Sequence, residues 1–228
     1  MKYTKVQLRD IVQWDVTNWA KSIYYWDANI NFDNISSCLE IGACRGGLSL
    51  WLAMHGKKDI ICSDYNDNRS IAFQLHNKYG FDFIQYKVIN ATNIGIQNKF
   101  DIICFKSVLG GIGYNDNKQD QEKAISEMYN ALKPGGLLIF AENLRGSKMH
   151  IFLREKFVKW GNKWRYVTID ELIKMTSLFS SIQYKTYGFL GLLGRKEWQR
   201  NFLGRIDTLI CPFVPEKRKY IGIFICKK

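Results

Sequence analysis

Three short segments of the chain carry residue types that can hold a nucleoside. The first is Glu40-Ile41-Gly42-Ala43-Cys44-Arg45-Gly46-Gly47, where glycines let backbone N–H groups come close to a ligand. Apolar residues at helical spacing follow (Leu48, Leu50, Trp51, Leu52, Met54), so a helix N-terminus stands behind the loop. The second is Asp64, which closes the run Ile60-Ile61-Cys62-Ser63 and lies 24 residues after Glu40. A carboxylate there can accept from both hydroxyls of a ribose. The third is Asn90-Ala91, just after Val88-Ile89, where an amide can read an adenine edge. Further along stand three titratable side chains at or beyond the ends of apolar runs: Lys106, Glu142 and His150.

To act together, these segments must lie at one end of a common scaffold. Apolar spacing over 5–28 predicts one or two amphipathic helices. An apolar run at 37–41 then leads into the glycine cluster and its helix. Strands are expected at 59–63, 83–89, 100–105 and 137–141, with helices at 69–79 and 119–132. The last of these helices is stopped by Lys133-Pro134-Gly135-Gly136. Strands alternating with helices imply a parallel sheet covered on both faces. In such a sheet, ligands sit beyond the carboxyl ends of the strands, where the strand order reverses. After residue 144 the pattern changes: helices are expected at 147–160 and 168–178, and strands near 181–187 and 219–226. No repeat, low-complexity tract or linker divides the 228 residues, so one domain over 1–228 is expected.

At this point the chain resembles the class I S-adenosylmethionine-dependent methyltransferases, in particular their small-molecule branch. The family's first motif, an acidic residue followed by Gly-x-Gly-x-Gly, is similar to Glu40-Ile41-Gly42-Ala43-Cys44-Arg45-Gly46. Its acidic ribose-binding residue resembles Asp64, and its Asp-Ala adenine site resembles Asn90-Ala91. Phe100-Asp101-Ile102-Ile103 is similar to its fourth strand. Leu132-Lys133-Pro134-Gly135-Gly136-Leu137-Leu138 is similar to its turn before the fifth. These landmarks cover 38–143, and weaker similarity of 180–228 to the sixth and seventh strands extends the resemblance. The resemblance implies an α/β fold: a Rossmann-like, seven-stranded, mostly parallel sheet with helices on both faces and the last strand antiparallel. It also implies a helical cap over 1–35, a cofactor-binding core over 36–143 and an acceptor-side lid with C-terminal strands over 144–228. The implied cofactor is S-adenosylmethionine, with S-adenosylhomocysteine as its product. It would be held by Glu40, Gly42, Ala43, Gly46, Asp64, Tyr65, Asn90, Ala91, Lys106 and Ser107.

Two departures from the family pattern carry expectations of their own. Cys44 replaces the middle glycine, and the loop is expected to accommodate it with φ below zero. Asn90 replaces an acidic residue, and its amide oxygen is expected to accept from the adenine amino group. The G-x-G-x-x-G of dinucleotide dehydrogenases is not matched.

Methyl transfer from a sulfonium is an in-line displacement, so most of the acceleration comes from holding the acceptor on axis. A base is needed only when the acceptor must lose a proton early, as a hydroxyl would. The candidates are His150 and Glu142; each has a structural alternative, a lid-surface histidine and a helix-capping carboxylate. His55 and His76 are read as surface or packing residues. Lys106 either binds an anionic acceptor or covers the cofactor. Trp14, Asp15, Lys106 and Arg145 are the expected acceptor contacts, with Trp19 packing its helix onto the sheet. Lys106-Ser107-Val108-Leu109 stands where amino-methylating DNA enzymes carry Asp/Asn-Pro-Pro-aromatic. No cysteine nucleophile lies there, and Lys106 occupies a place where metal-dependent enzymes need carboxylates, so no metal is expected.

The charge is unevenly spread. The chain carries 33 basic and 21 acidic side chains, net +12; residues 1–143 hold 15 of each, and residues 144–228 hold 18 basic against 6 acidic. The excess therefore lies wholly on the expected acceptor side. It points to an acidic or phosphate-bearing acceptor, small or glycan-linked, or to a peripheral anionic membrane surface. O-methylation of a sugar intermediate fits this best. An RNA or protein methyltransferase and a non-catalytic partner subunit remain as alternatives; nucleic acid is less favoured because no RNA-binding module or aromatic–basic strand motif is present. In the run after Arg145, Phe152, Leu153, Phe157 and Trp160 are read as a core-facing helical face, with Arg154, Lys156 and Lys159 solvated beside it. The six cysteines are read as small buried hydrophobes. The first residues lead into no apolar segment and no run reaches the roughly 18 residues that span a bilayer, so a cytoplasmic location is expected.

Overall fold

Alternating side chains on seven strands build two cores, one on each face of a sheet. The computed structural model describes residues 2–158 and 161–228. The strands are β1 (Ser37–Ile41), β2 (Asp59–Asp64), β3 (Gln85–Val88), β4 (Phe100–Lys106), β5 (Leu132–Asn143), β6 (Ser181–Tyr187) and β7 (Ile221–Lys227). Their order is β3-β2-β1-β4-β5-β7-β6. Pairs among β1 to β5 are parallel, and β7 runs antiparallel to both β5 and β6. This is the Rossmann-like architecture expected, with the last strand reversed. The order turns back between β1 and β4, so their carboxyl ends open a crevice of the kind in which open α/β sheets bind ligands.

One face is covered by α1 (Lys5–Val12), α2 (Val16–Asn29), α3 (Gly47–Met54) and α4 (Arg69–Lys78). Cys38, Ile60, Ile102, Ile139 and Ile223 point into this core with Trp19, Trp26 and Trp51. The other is covered by α5 (Leu109–Ile112), α6 (Lys118–Ala131) and, beyond α7 (Lys148–Phe157), by α8 (Ile169–Met175). Leu39, Ile103, Phe105, Leu138, Phe140 and Phe224 point into that one, as the two-residue period of a strand requires. Phe105, Phe140, Phe224 and Tyr184 lie opposite one another across four neighbouring strands, with ring centroids 4.7, 4.7 and 5.3 Å apart.

Gly47 opens α3 where α1 ends. A Cβ at this position would lie 2.0 Å from the Ile11 carbonyl oxygen, so only glycine lets the two helices meet. Gly47→Ala is expected to lower the melting temperature by about 5 °C, the cost of overpacking a tight contact, measured by differential scanning fluorimetry.

Two helices differ most from the sequence reading. The helix α9 (Glu197–Ile210) is 14 residues long and was not anticipated. Its inward residues are Gly204 and Asp207, while Trp198, Phe202 and Leu209 face outward, so its hydrophobic periodicity marks the wrong side. The expected face of α7 is likewise inverted: His150 and Arg154 are buried, and Phe152 and Phe157 are exposed. The remaining member of that expected face, Trp160, and its neighbour Lys159 lie outside the described residues. Among the described residues no helix is long and apolar enough to cross a membrane.

Candidate active site

The glycine loop is held in shape from below and from the side. Glu40, at the end of β1, is buried and turns both carboxylate oxygens onto the start of α3. Leu48 N–H (3.1 Å), Ser49 N–H (2.7 Å) and the Ser49 hydroxyl (2.6 Å) donate to it. Burial pushes its pKa up to about 7 against these donors. It therefore organises the loop and does not itself reach outward. Gly42 (φ 62°) and Gly46 (φ 76°) occupy the left-handed region, and Gly42 lies under Val108, whose Cγ2 would be 2.5 Å from an added Cβ. Ala43 is buried and donates to the Ser63 carbonyl.

Cys44 departs from expectation: its φ is 50°, not negative. The strain, about 1 kcal/mol for a non-glycine residue, is offset by two bonds. Its N–H donates to Asp64 Oδ2 at 2.7 Å, and its carbonyl accepts from Asn68 Nδ2 at 2.7 Å. The thiol side is exposed, so the loop meets no clash; the other five cysteines are buried. Asp64, half-buried at the tip of β2, thus fastens the loop with one oxygen. Its other oxygen has only a long 3.4 Å contact from Asn66 N–H, leaving capacity for a diol. Tyr65 beside it is 68% exposed. Asn90 is exposed, but its Oδ1 already accepts from Thr92 N–H and Oγ1 at 3.0 and 2.9 Å. Reading an adenine edge with that atom requires this turn to open. Ala91 is buried below it.

Beyond β4 and β5 lies the side expected to meet an acceptor. Glu142 is buried and accepts from Val108 N–H, Leu109 N–H and Asn143 N–H, each at 2.8 Å. Burial pushes its pKa up to about 7, opposed by those donors and by Lys106. Its oxygens shape the turn after β4, which corrects the reading of Glu142 as a base. His150 is also fully buried. Ser147 N–H donates to Nδ1 at 3.1 Å, and Nε2 lies 2.7 Å from the Phe189 carbonyl, so that pairing makes Nε2 the protonated nitrogen. Both ring nitrogens are spent on joining α7 to the 188–191 segment. His150 is therefore neither an exposed base nor a lid-surface residue.

Lys106, at the tip of β4, reaches over two tryptophan rings of the helical cap. Its ammonium lies 4.3 Å from the Trp19 ring centroid and 5.4 Å from that of Trp14. Burial brings its pKa down to about 8, although Glu142, Asp15 and Glu40 favour the charged form. The Arg200 guanidinium lies 5.4 Å from the Trp14 ring centroid. Trp19 is fully buried, as its packing role predicts, yet its Nε1 has no hydrogen-bond partner among the described residues. Ser107 (φ 58°) accepts from Asn143 Nδ2, closing the floor between the two strand tips.

Asp15 does not line the site. It is fully buried, accepts from the Tyr220 hydroxyl and Asn18 Nδ2, and burial raises its pKa to about 7. Its own N–H and that of Val16 donate to Glu197. Asp15 therefore fixes the turn that presents Trp14. Arg145 is exposed at the rim, its N–H bonded to the Val167 carbonyl.

Residues 39–140 match the methyltransferase-domain family. The match spans less than half of the chain, which over that stretch resembles a methyltransferase domain. Solved structures share its fold at low identity. Phosphoethanolamine N-methyltransferase 2 of Haemonchus contortus, with phosphomonomethylethanolamine and S-adenosylhomocysteine, is 15% identical over 92% of this chain, with a TM-score of 0.65. This chain covers 52% of that one, about half its length. The N-methyltransferase NodS of Bradyrhizobium japonicum is 16% identical over 92% of this chain and 86% of its own, with a TM-score of 0.61. The [4+2]-cyclase SpnF, 14% identical over 91% and 79% of the two chains with a TM-score of 0.60, shares the fold under the name of another reaction. No curated protein matches the chain. Residues 39–140 thus resemble a methyltransferase domain, and the described chain shares the fold of these solved structures.

Three residues beside the candidate site were missed from sequence. Arg154 is buried, donates from Nη1 to the Leu144 and Arg145 carbonyls, and lies 4.0 Å from the Tyr166 ring centroid. Its Nη2 has no partner among the described residues. Asn143 and Arg200 complete the set. None carries a local motif; only the fold brings them to the strand tips. Among the described residues no group of three or more His, Cys, Asp or Glu is placed to hold a metal. An open groove of about 610 Å³ beside α4 and β3 contains none of these site residues.

Proposed function

We propose that the chain transfers a methyl group from S-adenosylmethionine to an oxygen of a small acidic or phosphate-bearing acceptor, free or linked to a glycan or lipid. The observation that carries this is Lys106, held over Trp14 and Trp19 at the tip of β4 with its pKa lowered to about 8. S-adenosylmethionine, when bound, supplies an electrophilic methyl group. Asp64 would accept from its ribose, and the Gly42–Gly46 loop would meet it through the backbone. As the ammonium, Lys106 attracts an anionic acceptor. Its free amine, present in increasing fraction toward pH 8, takes the proton from a hydroxyl. With Glu142 and His150 both committed to the fold, Lys106 is the group left to move that proton.

Oxygen is favoured over nitrogen on electrostatic grounds. A protonated amine would approach Lys106 and Arg200 against like charge. The phosphate-bearing compound in the Haemonchus contortus structure supports an anionic acceptor, although that enzyme is named for nitrogen. The test uses thermal protection of the chain with S-adenosylhomocysteine present. Hydroxylated anions such as sugar phosphates and uronic acids are expected to protect the wild type and not Lys106→Met, which is expected still to bind S-adenosylhomocysteine by calorimetry. Protection by amines or by a polynucleotide instead overturns the reading.

Once an acceptor is found, kcat is expected to rise with pH through about 8, as the Lys106 amine loses its proton. Lys106→Met is expected to lose about a hundredfold or more in kcat. Lys106→Arg, which does not titrate in this range, is expected to flatten the profile.

A further inference from the structure

We propose that the outward face of α9 docks on an anionic membrane surface. Trp198, Phe202 and Leu209 lie on one stripe of this helix and are 66%, 61% and 73% exposed; Phe213, just past its end, is 88% exposed. Spacings of four and seven residues put the three on one side of a helix. Large apolar side chains this exposed, and on one line, mark a surface that meets something other than water.

The charge around the stripe names the partner. Both acidic residues of α9 are turned into the protein. Glu197 accepts from the N–H groups of Asp15 and Val16, and Asp207 accepts from those of Phe189, Leu190 and Gly191. Arg195, Lys196 and Arg205 remain on the exposed side. The patch continues onto α7, where the Arg195 guanidinium lies 4.0 Å from the Phe157 ring centroid. Aromatic and leucine side chains within a basic field are what an interfacial helix presents to anionic lipid. A second copy of the chain would bring the same positive face and be repelled. Arg200, on the inner edge of α9, lies over Trp14, so a docked α9 sets the acceptor side of the site against the bilayer.

The experiment is co-sedimentation of the full chain with phosphatidylcholine vesicles, with and without about one third phosphatidylglycerol. The wild type is expected to pellet with the anionic vesicles, and Trp198→Ser/Phe202→Ser to weaken that binding by about tenfold or more. Both residues are exposed, and unchanged binding of S-adenosylhomocysteine to the double variant shows that it is folded. Arg195→Glu/Arg205→Glu is expected to make the remaining binding insensitive to phosphatidylglycerol. Two results overturn the proposal: wild-type protein left in the supernatant with anionic vesicles, or a solution dimer that the same serine substitutions dissociate.

Discussion

Asp64→Ala is expected to weaken binding of S-adenosylmethionine by about a hundredfold or more, measured by titration calorimetry. A carboxylate hydrogen bond contributes roughly 1.5–3 kcal/mol, and the side chain has two kinds to lose. One is the pair of bonds it would make to a ribose diol. The other is already present: Asp64 accepts from Cys44 N–H and so holds a non-glycine residue at φ 50°. Without that anchor, Cys44 relaxes toward negative φ and the loop between Gly42 and Gly46 loses its shape. At 1.4 kcal/mol per factor of ten, two such bonds account for the hundredfold and the loop supplies the rest. Asp64→Asn is expected to lose less, because an amide oxygen can keep the Cys44 bond. An alanine variant with unchanged affinity would remove the ribose assignment altogether.

Asp207→Ala is expected to be the most destabilising single change on the acceptor side, lowering the melting temperature by about 10 °C. The Asp207 carboxylate is fully buried and accepts from Phe189 N–H, Leu190 N–H, Gly191 N–H and Asn18 Nδ2. Alanine leaves all four donors without it. Each orphaned buried group costs about 1–3 kcal/mol, reduced where water enters. A total near 4 kcal/mol, at roughly 2–4 °C per kcal/mol for a chain of this size, gives the expected shift. The damage should also be directional. Asn18 joins Asp207 to Asp15 and Tyr220, and Asp15 sets the turn that presents Trp14. Scanning fluorimetry should show the loss of stability, while calorimetry at a temperature where the variant is folded should show cofactor affinity nearly intact. Equal losses at both sites would mean that the network supports the whole sheet.

The parts of the fold that could be read from sequence are those where pattern and position agree. Ile60-Ile61-Cys62 is apolar because β2 is buried on both faces, and the Gly42–Gly46 loop must be glycine-rich because the backbone turns left-handed there. The acceptor side was read less well because its chemistry runs against the usual pattern. His150 and Arg154 are polar residues on the inside of α7, and Trp198 and Phe202 are aromatic residues on the outside of α9. A periodicity argument turns both helices the wrong way round. Glu142 was read as a base candidate and Asp15 as an acceptor contact, and both are instead buried carboxylates bonded within the fold. A single sequence does not reveal that backbone N–H groups more than 30 residues away from Glu142 were waiting for its oxygens.

The contact between Ile11 and Gly47 makes the cap and the glycine loop one mechanical piece. The Ile11 carbonyl sits where any side chain on Gly47 would be, and two residues later the chain turns at Gln13 (φ 71°) toward Trp14. On the proposed reading, an acceptor that displaced Trp14 would press through α1 on the N-terminus of α3, the end that carries the loop. Whatever affinity one ligand gains from a settled cap, the other gains by the same factor, since a coupling free energy has no preferred direction. On that reading the two halves of the site would be thermodynamic partners, joined where a missing side chain lets two helices touch.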